Sequence, residues 1–314
     1  MKIVSFDKIK ELNISPLMCY EWISDVISFK KNALLPQKIS MKPAIHGVFY
    51  NTMPAIIPYA NVGGVKLVTR YPKRIPSLDS EILLYNLETG ENIALMDGNW
   101  ITAMRTGAVA AHAVKIFAID NFKTIGMIGL GNTARATLKV LLAVYPGRKL
   151  QIKLKKYKNQ HILFREEFAK FNNIKFVYCD SFDEVVCDSD IVISAATVLE
   201  NDICADNCFK EGVLVIPIHT RGFTNCDLFF DKIFADDRNH VKDFQYFNQY
   251  KFFSEVSDVV NGIRPGREND KERILVYNIG IALHDIYFAG KIYKCVEENC
   301  KEISLMAPKE KFWI

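Results

Sequence analysis

Several things are scarce in this 314-residue sequence. No apolar run approaches the ~18 residues of a membrane-spanning helix, and the opening stretch MKIVSFDKIKEL has no continuous apolar segment. A cytoplasmic protein without a membrane partner is therefore expected. Excess charge of one sign is also missing: the formal net charge is +4 and the bases are interleaved with acids, so no nucleic-acid footprint is indicated. Paired CxxC spacing is absent. The eight cysteines stand at Cys19, Cys179, Cys187, Cys204, Cys208, Cys226, Cys295 and Cys300. Cys204 and Cys208 are compatible with two ligands on one helix, but no second pair accompanies them, so free thiols and no metal are expected. Reduced thiols fit a reducing compartment.

What the chain does have is the material for a large core. An apolar fraction of 49% against 24% charged residues matches an ordinary globular protein, and the length favours two domains. Ser15-Pro16 reads as a helix cap with proline at the first position, and Cys19, Trp22, Ile23, Val26 and Ile27 recur at helical spacing, which predicts a helix over about 16–31. From Gly47 to Tyr85 the pattern changes to short runs broken by Pro, Gly and Asn, the mark of antiparallel strands. Thr102 reads as the cap of an alanine-rich helix, AMRTGAVAAHAVKIFA.

Beyond it, strands at 124–130, 149–155, 190–196 and 213–218, with KFVYC between, alternate with helical spans at ARATLKVLLAV and 160–171. That alternation predicts an α/β fold, a Rossmann-type doubly wound parallel sheet. The segment SEVSDVVNGIRPGREND is polar, and LVYNIGIALHDIYFAGKIYKCVEE reads as a strand and then a long helix. A closing helix that packs back on the first domain makes that α+β domain discontinuous, 1–118 with 281–314, around a dinucleotide domain at 119–280.

Residues Gly129-Leu130-Gly131-Asn132-Thr133-Ala134 form G-x-G-x-x-A between a β-branched strand and an amphipathic helix. Gly129 permits the tight turn, Gly131 lets backbone approach a pyrophosphate, and Ala134 allows close helix–strand packing, while the helix start faces the phosphate charge. An acid about 20 residues on would bond the ribose 2′-hydroxyl of NAD. The chain offers Arg148, Lys149, Lys153, Lys155, Lys156 and Lys158 there, with no acid until Glu166. A 2′-phosphate suits that run better than a bare hydroxyl, so NADP is weighed over NAD, and a solvated basic loop remains the bland alternative.

Two cations interrupt neutral surroundings: Lys66 in GVKLVTRYP and Arg105 in TAMRTGA. Arg105 can hold a substrate carboxylate through its fork, and Lys66 as a point charge or proton-transfer group, although either is also a common structural ion-pair residue. The runs MPAIIPYANVGGVKLVTRYP, MRTGAVAAHAV, TIGMIGLGNTARATLKVL and YNIGIALHDIYFA, in this order, resemble the ornithine cyclodeaminase and mu-crystallin family across nearly the whole chain. That family includes ornithine cyclodeaminases, alanine dehydrogenase-like enzymes, ketimine reductases and siderophore-precursor dehydrogenases, built as a Rossmann domain plus a dimerising substrate domain.

The resemblance implies that Lys66 and Arg105 meet the substrate carboxylate beside the nicotinamide, with Lys38 where an Arg is common and Asn51 and Met53 also lining the substrate site. Thr197 resembles a family threonine near the cofactor. The cyclodeaminases carry a carboxylate near Asn51 for the distal ammonium of ornithine, and an essential Asp in the loop that here reads Pro217-Ile218-His219-Thr220-Arg221-Gly222-Phe223, where Asp227 is the first acid. His219 is the candidate replacement base, since an imidazole titrates near ~6.5. Arg221 is a candidate for a second acidic group of the substrate, and His112 reads as a packing residue. The implied activity is NAD(P)-dependent oxidoreduction at the α-carbon of an amino acid or its imine, in a homodimer. Ornithine cyclisation and a non-catalytic NADPH-dependent ligand-binding protein are the alternatives.

Overall fold

The computed structural model describes residues 1–196, 203–218, 224–296, 300–304 and 310–311. Its first sheet holds β1 (Lys2–Val4), β2 (Ile39–Met41), β3 (Phe49–Ile57), β4 (Val62–Arg70), β5 (Leu78–Asn86) and β6 (Asn92–Asp97). The spatial order is β1-β6-β5-β4-β3-β2, with only the β1–β6 pair parallel. Burial alternates along β5 and β6, as expected of a sheet covered on one face. The covered face carries α3 (Asn99–Phe117) and α8 (Ala282–Cys295), α2 (Pro16–Ser28) packs against both, and α1 (Phe6–Glu11) precedes α2.

The second sheet is wholly parallel, with β7 (Thr124–Ile128), β8 (Leu150–Lys155), β9 (Ile174–Cys179), β10 (Ile191–Ser194), β11 (Leu214–Pro217), β12 (Lys232–Ala235), β13 (Phe253–Glu255) and β14 (Ile274–Tyr277). Its order is β13-β12-β14-β11-β10-β7-β8-β9, so the run from β9 to β14 follows the doubly wound dinucleotide-binding order and β12 and β13 extend it. The central strands β10, β11 and β14 are buried at every residue, the mark of a sheet covered on both faces. The intervening helices are α4 (Asn132–Val144), α5 (Gln160–Glu167), α6 (Phe182–Val186) and α7 (Val256–Val260).

The α/β class and the alternation of elements follow the sequence pattern, with local differences. The Ser15 side chain accepts from the Met18 amide as a cap should, but α2 ends at Ser28 and a separate 3-10 turn occupies Lys30–Asn32. Thr102 does not cap α3. That helix starts at Asn99 after Gly98, and the Thr102 hydroxyl donates back to the Gly98 carbonyl at 2.6 Å. Strands β6, β12 and β13 were not expected, and the polar SEVSDVV stretch contains the end of β13 and α7.

One close approach ties the halves together, and a second locks the first half. Where α3 crosses α4, a Cβ on Gly107 would lie 2.5 Å from the Ala136 carbonyl carbon, so only glycine lets these backbones meet. Where α8 crosses β4, a Cβ on Gly64 would lie 2.9 Å from Ile286. The second contact fixes the site described next.

Candidate active site

Strand β4 alternates, so Val62, Gly64, Lys66 and Val68 share its inward face. With Ile286 seated over Gly64, its neighbour Asp285 comes over Lys66. The Lys66 Nζ lies 2.8 Å from Asp285 Oδ1, and Arg105 Nε, reaching in from α3, lies 2.9 Å from the same oxygen. All three side chains are buried: Lys66 is 0%, Arg105 2% and Asp285 0% exposed. Met53 pairs with Lys66 across β3 and β4, and Asn51 lies two residues along on the same face with its buried Oδ1 unpartnered among the described residues. Lys38 lies near enough to depress the Lys66 ammonium.

The charges in this group do not balance. Lys66 and Arg105 share the single carboxylate of Asp285, whose second oxygen has no hydrogen-bond partner among the described residues. Burial is the main influence on Lys66 and, with Arg105 and Lys38 adding to it against the pull of Asp285, lowers its pKa to about 8. Burial alone would raise the Asp285 carboxyl, but Arg105 and Lys66 outweigh it and hold the pKa below the usual range. Buried charge without a partner is costly, so an excess of cations here calls for an anion. A carboxylate that meets the Arg105 fork would supply it.

Behind the group lies a small cavity of about 10 Å³, room for roughly one water molecule. His112, Asp236, Asn278 and His284 line it. Burial lowers His112 to about 4, and burial with the nearby Arg105 lowers His284 to about 3, so both are neutral near physiological pH. Asp236 accepts from the Gly280 amide at 2.6 Å and is pushed upward by burial. His112 is thus packed inside, but as part of a polar pocket.

The glycine motif occupies the turn from β7 to α4, at the switch point where β7 and β10 neighbour one another. Gly129 has φ +76°, and a Cβ there would lie 2.5 Å from the Ala196 amide nitrogen. Gly131 is the residue before α4, no side chain caps the helix, and nothing lies within 4 Å of the place a Cβ would take. Asn132 and Thr133 open the helix, and Ala134 is buried. An open cradle over uncapped helix amides fits the diphosphate of a dinucleotide.

At the end of β8, Lys155 Nζ donates to the Lys156 carbonyl and Lys156 pairs with Asp180 at 2.9 Å, an acid from the end of β9 that the linear reading did not connect. Arg148 and Lys153 make backbone contacts instead.

The fold therefore brings Lys66, Arg105, Lys38, Asn51 and Met53 to one sheet face, with the glycine turn beside the second sheet. His219, Thr197 and Arg221 lie outside the described residues. Asp227 accepts hydrogen bonds from Tyr250 and Tyr277, and burial raises its pKa to about 6. Asp285 was missed as a site residue. Its signal was an acid inside the apolar stripe Ala282, Leu283, Ile286 and Ala289.

The model of the ornithine cyclodeaminase/mu-crystallin family matches residues 10–300. Nodulation efficiency protein NfeD of Rhizobium meliloti is 27% identical, over 84% of each chain. Delta(1)-pyrroline-2-carboxylate reductase of Bacillus cereus is also 27% identical, over 77% of this chain and 80% of the relative. The solved structure of the Thermococcus litoralis Delta(1)-pyrroline-2-carboxylate reductase with NADH and L-proline superposes with a TM-score of 0.83 at 25% identity, over 94% of this chain and 97% of that one.

Proposed function

Because the chain belongs to the ornithine cyclodeaminase/mu-crystallin family, we propose that it is an NAD(P)-dependent oxidoreductase acting at the α-carbon of an amino acid or its imine. The observation that carries this reading is the buried surplus of positive charge at Lys66 and Arg105, a receptor for an α-carboxylate. The similarity to enzymes named for an imino acid supports it.

When bound, the nicotinamide supplies or accepts hydride. The residues of this chain do the remaining work. Arg105, oriented by Asp285, takes the substrate carboxylate, and Lys38 adds charge at the rim. Such fixing of the α-carbon can lower a barrier by several kcal/mol, roughly 7–11 at the extreme. Lys66, with its pKa near 8, can give a proton to the substrate nitrogen during imine reduction and take it back in the reverse sense. The turn from Gly129 to Ala134 would hold the diphosphate. Lys155 and Lys156, at the strand end where NAD-preferring sites carry an acid, favour NADP. His219 stays a candidate base and Thr197 a candidate coenzyme contact.

In this reading residues 1–118 and 281–314 form the substrate and dimerisation domain and 119–280 the coenzyme domain. Leu34, Ile56 and Leu67 are exposed around the uncovered side of the first sheet, beside an apolar groove of about 540 Å³, and a second copy of the chain is its occupant. No helix among the described residues is long and apolar enough to cross a membrane. Asn51 in place of a carboxylate weighs against a substrate with a distal ammonium, and so against ornithine cyclisation.

Cyclic imino acids and amino acids assayed with both coenzymes, by nicotinamide absorbance, test the proposal. Reduction of an imino acid, faster with NADPH and lost in Lys66→Met, is expected. Tight coenzyme binding without turnover of any member of the panel would replace it with the ligand-binding alternative.

A further inference from the structure

Away from Lys66 and Asp285, four of the eight cysteines converge at α6. Cys187 follows that helix, and its carbonyl is pinned by Lys153 Nζ at 2.5 Å. Its thiol lies near that of Cys208, which closes the short turn Asp206–Cys208. Cys208 Sγ lies 3.8 Å from Asp183 Oδ1 on α6. Cys204, at the near end of the same segment, brings its sulfur within 4.8 Å of that of Cys208 and has Cys226 close by. One donor atom from each of Asp183, Cys204 and Cys208 lies within 4.8 Å of the other two.

We propose that Asp183, Cys204 and Cys208, completed by Cys187, form a binding site for a thiophilic divalent cation of the zinc class. The expectation of free thiols rested on the lack of a second pair beside Cys204 and Cys208. The fold brings Asp183, four residues before Cys187, up to that pair, and sets Cys187 beside Cys208.

Geometry and chemistry agree with this assignment. A tetrahedral ion with metal–sulfur bonds of about 2.3 Å sets its sulfur ligands about 3.8 Å apart. The spread of up to 4.8 Å among the Asp183, Cys204 and Cys208 donor atoms therefore closes by roughly one ångström, within reach of side-chain rotation. Inert thiols pack singly among apolar side chains, whereas these point at one another and at a carboxylate. Exposure is graded, with Cys204 buried, Cys208 and Cys187 half-buried and Asp183 exposed, which gives an ion a way in. Each thiol that becomes a ligand releases its proton to solvent as the metal–sulfur bond forms, and no electron changes hands. The bound ion would clamp the 203–208 segment, which leads into β11, onto α6.

The test uses the full-length protein, reduced with a phosphine and stripped with a chelator, then titrated with Co²⁺ alone. The expected result is thiolate-to-cobalt charge transfer with tetrahedral visible bands, saturating at one equivalent and abolished by Zn²⁺. Cys208→Ser and Asp183→Asn should weaken Co²⁺ binding at least tenfold, and Cys295→Ser should leave it unchanged. If Cys204→Ser fails to fold, those substitutions at less buried positions still decide the matter. Octahedral cobalt spectra without charge transfer in the folded wild type would overturn the proposal, as would full binding by Cys208→Ser.

Discussion

Replacing Asp285 with Asn removes one negative charge from a place where two cations share it. Asp285 Oδ1 is bonded to both Lys66 and Arg105, and all three groups are shielded from water. Stranding one member of a buried pair typically costs about 3–5 kcal/mol. Here two cations are stranded, so a loss at the upper end of that range is expected, visible as a lower urea midpoint with an unchanged slope. Asp285 is also the main influence opposing the depression of Lys66, so its removal should carry that pKa below about 8 and shift the pH–rate profile to lower pH. A purely structural role would lower stability without moving the profile. In a Lys66→Met background the same substitution strands one cation fewer, and the two changes should be non-additive by roughly 1–3 kcal/mol. Additive losses with an unmoved profile would refute the coupling described here.

Lys66 sets a further pH dependence. With Lys66 as the proton donor proposed above, imine reduction should fall about tenfold per pH unit above pH 8, whereas amino-acid oxidation should rise toward that pH, and initial rates in both directions check this. The neutral histidines set the acid limit of stability. Their folded values of about 4 and 3 lie below the ordinary 6.5, so the unfolded chain binds the extra protons. Stability should therefore drop as pH falls from 6.5 toward 4, by up to ~2.7 kcal/mol per unit for the two groups, and His112→Gln should roughly halve that slope in denaturant titrations. Gly131→Val places a side chain in open space and should melt within a few degrees of wild type, yet it should lose at least tenfold in coenzyme affinity by calorimetry. Unchanged affinity would remove the glycine turn from the binding site.

The parts of this molecule that were readable in its sequence are those governed by neighbours along the chain. The helix that begins at Pro16 and the strand–turn–helix from Thr124 to Val144 are local patterns of period, cap and turn. Strands β12 and β13 are short, and Lys232 and Glu255 interrupt their apolar character, so only pairing in the sheet makes them strands. The site differs again, because its central bond joins residues 219 positions apart. Its existence, though not its geometry, follows from a physical rule. Lys66 sits on a strand face otherwise made of Val62, Gly64 and Val68, and Asp285 sits in the apolar stripe of α8. A charge in such a position must find an opposite charge or lose its own. A lone cation and a lone carboxylate, each misplaced by the local pattern, are therefore natural partners. The surplus that remains once Arg105 joins them is what the proposed binding of a carboxylate rests on, since a self-contained ion pair has no call for a further anion.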